Sequence, residues 1–280
     1  MKEHESKYPV TKMSKSLCVS KSGYYAWKNR PRSRRANERH ILVRKIIDIQ
    51  KRHRWQYGER RITHELNKTW RSISRNRVIR ILSEEGLGVH RKKRFIATTN
   101  SRHSGPFSAN LLDRKFSVAK PDFVWVTDIT YCRCRDRFLY LCVFIDLYSR
   151  SIVGWALGET LETALVNRAF TMALNNRRPN RGLMIHSDRG IQYCSDAFRA
   201  RLVENHCIQS MSRKGNCWDN AVAESFFKTL KNEHLNIVTY NSIQHMKIGL
   251  FGYLDGYYNR ARAHSALSYM TPLEYESKGA

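Results

Sequence analysis

Carboxylates are scarce in this sequence. Asp and Glu total 24 against 50 Lys and Arg, a formal net charge of +26. Such an imbalance favours a polyanionic partner, because phosphate contacts give affinity without sequence choice. Cysteine pairing signals are also missing. The 7 cysteines, at positions 18, 132, 134, 142, 194, 207 and 217, are odd in number and contain no CxxC pair. That argues against a disulfide framework and a standard zinc knuckle, and His53 and His64 lack the CxxC that a zinc-bearing N-terminal module would need. Reduced thiols in a cytoplasmic protein are the simplest account. The longest apolar stretch, around Phe138–Asp146, is too short to cross a bilayer, and Met1 to Val10 are too polar for a secretory leader. Internal repeats, low-complexity tracts and heptad runs are absent.

What is present is an ordinary core and an uneven charge. The hydrophobic fraction is 41% of 280 residues, enough to fold without covalent staples. Residues 1–100 hold 27 Lys and Arg against 8 acids, whereas residues 101–280 hold 23 against 16. The basic first part reads as a helical DNA-binding region over 1–95. Leu42, Ile46 and Ile49 lie at helical spacing, as do Ile62, Leu66 and Trp70. After a Ser72–Ile73–Ser74 break, Val78, Ile81 and Leu82 mark a further helix that Gly86 would cap. Two short helices across a tight break predict a helix-turn-helix over about 55–90. Arg75, Arg77 and Arg80 lie off the apolar stripe and are candidate contacts to phosphates or bases.

Residues 96–121 read as a linker, polar and without periodicity. From 122 to 235 the pattern is α/β. Phe123–Tyr131, Phe138–Leu147 and Ser151–Leu157 predict an antiparallel meander. A helix over Glu162–Asn175, a short strand Leu183–Ser187, a helix Asp196–Asn205, a strand Ile208–Met211 and a long helix Asp219–Leu235 follow. This is the order of the ribonuclease H-like fold, a mixed five-stranded sheet with flanking helices. Residues 236–280 would extend that core with further helices.

Three acids stand out. Asp128 interrupts an apolar strand, where a carboxylate is costly unless paired or bound to metal. Asp188 ends a short buried strand, the place where α/β sheets gather ligand groups. Glu224 lies on the long helix, two turns before Lys231 on the same face. Each has an ordinary structural reading, as a strand-end or turn Asp or a surface Glu paired with Lys228. Asp146 competes, but Leu147–Tyr148–Ser149–Arg150 after it looks like a turn. His186 could orient substrate, although such a His more often packs beside its strand.

The spacing joins the three acids. Asp128 and Asp188 are separated by 59 residues and Asp188 and Glu224 by 35, with Lys231 seven past the Glu. This resembles the D, D-35-E pattern of the DDE integrase core. Trp125–Tyr131, His186–Gly190 and Asp219–Ser225 further resemble bacterial insertion-sequence transposases of the OrfB type, as do Ser22–Tyr25, Tyr57–Gly58 with Arg61–Ile62, Tyr258–Leu267 and Thr271–Pro272. Ala261 and Ala263 depart from the family's usual basic or polar residue and Pro.

The resemblance implies metal-dependent DNA strand cleavage and strand transfer at the ends of a mobile element. Asp128, Asp188 and Glu224 would hold two divalent ions, Mg²⁺ or Mn²⁺, which suit hard oxygen ligands. Lys231 and, more weakly, Lys228 would touch DNA phosphate. Implied partners are double-stranded DNA (terminal inverted repeats and target), an OrfA-type partner or frameshift fusion, and further copies of the chain in a synaptic complex, on the bacterial nucleoid. The competing readings are a ribonuclease H-like nuclease that does not join strands and a non-catalytic DNA-binding regulator.

Overall fold

The computed structural model describes residues 1–89, 107–214 and 216–279. Two short helices open the chain, α1 (Val10–Ser16) and α2 (Lys21–Asn29), the second capped by Ser20, whose side chain accepts the Gly23 amide. Helix α3 (Arg34–Arg52) then packs on α4 (Glu59–Thr69) and α5 (Arg75–Glu84). Their shared core contains Leu42, Ile46, Ile49, Tyr57, Ile62, Leu66, Ile73, Val78, Ile81 and Leu82, so the helical spacing in the sequence picks out the buried stripe. The break between α4 and α5 is held by Asn67, whose side-chain oxygen accepts the Ile73 amide at 2.7 Å. Helix α5 ends at Gly86, with φ of 63°. The Leu87 amide reaches back to the Leu82 carbonyl at 2.9 Å, the bond of a Schellman motif.

The expected meander forms as β1 (Val124–Cys134), β2 (Arg137–Asp146) and β3 (Ile152–Gly158). After α6 (Thr163–Arg177) comes β4 (Met184–Ser187), then α7 (Ile191–Cys194), α8 (Asp196–Glu204) and β5 (Ile208–Met211). The sheet order is β3-β2-β1-β4-β5, antiparallel through the meander and parallel from β1 to β5. The predicted ribonuclease H-like sheet is therefore the observed one. Alternation along the strands sorts the side chains into two cores. Trp125, Phe144, Ile185 and Phe198 lie on the face covered by α6 and α8. Val126, Val143, Ile145 and Leu141 lie on the other, beneath α9 (Ala221–Leu230) and the C-terminal segments.

Two expectations change in detail. The long helix predicted over Asp219–Leu235 is divided. A 3₁₀ turn spans Cys217–Asn220, α9 follows, and a π-helical turn takes Lys231–Leu235. The turn buries Glu233 and His234, and Glu233 bonds Arg262 at 2.7 Å and Tyr253 at 3.0 Å. Of the segment read as a linker, 96–106 lies outside the described residues. The described part packs onto the sheet: Leu112 is buried, and the Met211 amide donates to the Ala109 carbonyl.

The C-terminal part adds α10 (Ile243–Phe251), a π-helical turn Gly252–Tyr258 and α11 (Pro272–Gly279). Its signature residues have structural duties. Asn259 clamps β3 by accepting the Ile152 amide and donating to the Ile152 carbonyl, both at 2.9 Å. Thr271 and Glu274 bond each other's amides, a capping box with Pro272 in the first helical position. Tyr57 accepts the Ala263 amide at 2.8 Å, a bond that the family's usual Pro could not donate. Arg61 and Arg262 converge on Glu233. The two signature regions, some 200 residues apart in sequence, thus form one packed joint between the first helices and the C-terminal segments.

Arg262 and Glu233 are both nearly inaccessible to solvent, so breaking the pair strands a buried charge. Arg262→Ala is expected to cost about 3–5 kcal/mol in equilibrium denaturation. Replacing both, as Arg262→Met with Glu233→Leu, should cost much less. An equal loss in the two variants would show that the joint depends on packing volume and not on charge compensation.

Candidate active site

Asp128 lies in the middle of β1, on the face that α9 covers, in line with Val126 and Cys132. Parallel pairing sets Val124 beside Met184, Trp125 beside Ile185 and Val126 beside His186. The same offset, carried two residues on, puts Asp188 opposite Asp128, with neighbouring backbones about 4.8 Å apart. Asp188 is the first residue past β4, at the strand's carboxyl end. Its Oδ1 accepts the Gly190 amide at 2.9 Å. A Cβ at Gly190 would come within 3.0 Å of that same oxygen, so the turn needs a glycine.

The electrostatics record this proximity. Part of Asp128 still meets solvent, yet its carboxyl is pushed well above the usual range. Desolvation is the largest cause and the charge of Asp188 the next. Glu224 adds to the rise, while the Ile129 amide at 2.7 Å and the charge of Lys231 oppose it. Glu224 stands on the second turn of α9 with its pKa raised by desolvation, although much of its surface is open. Lys231 is half-buried at the end of the same helix, whereas Lys228 is exposed. Among the described residues no three His, Cys, Asp or Glu side chains already form a ligand set for a metal ion. The chemistry of the donors nevertheless fits a hard divalent cation, since Asp128 and Asp188 are carboxylates that repel each other.

A buried polar network beneath the acids was not legible in sequence. Asp219, read only as the start of a helix, is 0% exposed. It accepts bonds from Arg114 at 2.8 Å, from Asn110 at 2.9 Å and from the Arg213 amide and guanidinium at 2.9 and 3.0 Å. Those donors, Arg213 first, hold its carboxyl below the usual range. His186 is buried and reaches Ser210 Oγ at 2.9 Å and the Asp219 carbonyl at 3.1 Å. Burial lowers its pKa to about 4, so it is neutral near pH 7. It joins β4 and β5 to the start of α9, which is a positioning role. Only the Trp-Asp-Asn run before the helix hinted at such a hub.

The other candidates separate. Asp146 is the turn residue that its neighbours suggested: it is buried and accepts the Ser149 amide, the Ser149 hydroxyl and the Asp122 amide, all at 2.9 Å. The arginines of α5 lie apart, on the first helical unit. Arg75 pairs with Glu59 and Arg77 with Glu38, both at the surface, where such pairs contribute little. Arg80 is exposed and meets no carboxylate among the described residues.

This arrangement agrees with what the chain matches. Integrase core domain models fit residues 118–217 and 205–272, and an HTH-like domain model fits residues 36–95. The chain is 34% identical over 280 residues to the transposase InsF for insertion sequence IS3A of Escherichia coli K12, covering 99% of this chain and 97% of the relative. The chain belongs to the insertion-sequence transposase family. A 31 kDa protein of insertion element IS600 from Shigella sonnei is 40% identical over 262 residues, 93% of this chain and 96% of the relative. The transposase of element IS904 from Lactococcus lactis is 35% identical, covering 87% and 96%. Among solved structures, this transposase is similar to a chain of the simian T-cell lymphotropic virus intasome, with 12% identity and a TM-score of 0.46 over 82% of this chain and 74% of that one. It is also similar to the HTLV-2 integrase catalytic core domain in complex with magnesium, with 17% identity and a TM-score of 0.43 over 56% and 97%. No helix among the described residues is long and apolar enough to cross a membrane.

Because folding raises the Asp128 pKa, its ionised form opposes folding. In metal-free protein this penalty is absent below the unfolded-state pKa and grows as pH rises through the raised folded value. Asp128→Asn should therefore raise the metal-free melting temperature near pH 7. A gain of about 2–4 °C corresponds to about 1 kcal/mol in a chain of this size. Adding Mg²⁺ should stabilise the unsubstituted protein more than the variant. A lower melting temperature for the metal-free variant would contradict the repulsion described above.

Proposed function

We propose that the transposase cuts and joins DNA as a DDE enzyme, with Asp128, Asp188 and Glu224 as ligands of two divalent ions, Mg²⁺ or Mn²⁺. The observation that carries this reading is the β1–β4 register, which sets two carboxylates side by side at the carboxyl end of a strand and under the helix that bears Glu224. When bound, such ions activate an oxygen nucleophile and relieve charge on the leaving oxygen. Asp128, between the other two acids, would bridge both sites, and Asp188 and Glu224 would each complete one. Lys231 acts on the charge of Asp128 and would also meet a DNA phosphate, with Lys228 further along the helix. His186, neutral and fully bonded, holds the scaffold and moves no proton.

The helix-turn-helix of α4 and α5, with Arg75, Arg77 and Arg80, would bind the element's terminal inverted repeats. The surface pairs of Arg75 and Arg77 are weak enough to exchange for phosphates. Synapsis would bring together further copies of the chain, with an OrfA-type partner or fusion, on nucleoid DNA.

Asp128→Asn, Asp188→Asn and Glu224→Gln are each expected to lower strand cleavage by at least 10³-fold, about 4 kcal/mol of transition-state stabilisation, while DNA binding is retained. A labelled element end incubated with target duplex and Mg²⁺ should give a joined product. Cleavage without joining would identify a nuclease, and metal-independent binding without cleavage a regulator. Normal cleavage by any one variant would remove that residue from the ligand set.

A further inference from the structure

The loop before α9 carries an aromatic side chain that the reading above leaves unused. Trp218 is 69% exposed, one residue before the fully buried Asp219 and six before Glu224. Among the described residues nothing hydrogen-bonds to its indole or stacks on it. An indole left this open forgoes much of the burial that stabilises Trp elsewhere. The loop beneath it is held firmly. Asp219 fastens the loop to the Arg213 amide and guanidinium and to Arg114, and its own amide donates to the Asn216 carbonyl at 3.2 Å. Helix α9 is tied to β1 on the far side, where Asn220 donates to the Thr127 carbonyl at 3.5 Å. Cations surround the loop: Arg213 and Lys214 are exposed within it. Arg189, next to Asp188, is oriented by the Ser212 carbonyl at 2.8 Å and lies over the Phe107 ring.

We propose that Trp218 is a stacking platform for an unpaired nucleobase at the DNA end being processed, with Arg213 and Lys214 taking the adjoining phosphates. Every base offers a π-face, and an open aromatic ring beside cations is the surface that single-stranded nucleic acid uses. Strand cleavage at a duplex end requires access to one strand, and a base drawn out of the stack needs a new partner. A fixed indole within one short helical stretch of Glu224 supplies that partner. The proposal rests on the strand-transfer reading, because that reading sets DNA at this face.

The test uses the full chain carrying Asp128→Asn, so that no strand is cut. The probes are a fully paired duplex and a forked duplex of the same length, with 2-aminopurine in the unpaired strand. With Trp218 present, the forked duplex should bind more tightly than the paired one and its 2-aminopurine fluorescence should be quenched. Trp218→Ala should weaken forked-duplex binding by about 5- to 150-fold, the range that alanine substitution of a stacking aromatic produces, and release the quenching. Trp218→Phe should retain most of both, and paired-duplex binding should not change. Equal quenching with Ala and Trp would overturn the proposal. So would an equal loss on both duplexes, or a loss confined to self-association of the chain in sedimentation. Cleavage assays with Asp128 intact report separately on the strand-transfer reading, so a failure there leaves the stacking result standing.

Discussion

Two carboxylates held side by side on adjacent parallel strands are the constraint around which this fold is arranged. Like charges at that spacing repel, and the protein around Asp128 desolvates it further. A chain does not tolerate such a pair cheaply unless a cation relieves it or the rest of the structure holds it in place. Both sheet faces serve the second purpose. The meander and α6 fix β1 from one side, and α9 with the C-terminal segments fixes it from the other. The buried His186, Ser210 and Asp219 network then sets where α9 begins, and thereby where Glu224 and Lys231 stand relative to the two aspartates.

A second polar arrangement joins the parts of the molecule. Glu233, turned inward by the π-helical turn after α9, draws together Arg61 from α4, Arg262 from the C-terminal segment and Tyr253. The helix bearing Glu224 is therefore continuous with the joint that docks the helix-turn-helix unit. π-helical turns are found often at functional sites, and here the inserted turn is what lets a single helix serve the acids at one end and the joint at the other. The resulting geometry connects a DNA-binding element to the strand-transfer site through rigid backbone and buried charge, with no free linker among the described residues.

The arginines of α5 illustrate a limit of surface reading. All three were legible as cations off an apolar stripe, but in the fold Arg75 and Arg77 have carboxylate partners and Arg80 has none. Sequence periodicity reports which face of a helix is buried; it does not report which distant acid, such as Glu38, folds back onto that face. The same applies to Asp146 and Asp128. Both are acids in apolar strands, and only the partners of each distinguish a turn residue from a candidate ligand.

Residue order alone was sufficient for the strand and helix succession, the apolar stripes of α3, α4 and α5, and the identity and spacing of Asp128, Asp188 and Glu224. These are local patterns, or counts along the chain, and they survive without knowledge of long-range contacts. The role of Asp219 as an anchor, the neutrality of His186, the division of the last core helix by a π-helical turn, the packing of residues 107–121 onto the sheet and the open position of Trp218 emerged only in three dimensions. Each depends on groups tens to hundreds of residues away, whose approach fixes burial, hydrogen-bond partners and local field, and none of these has a periodic trace in the sequence.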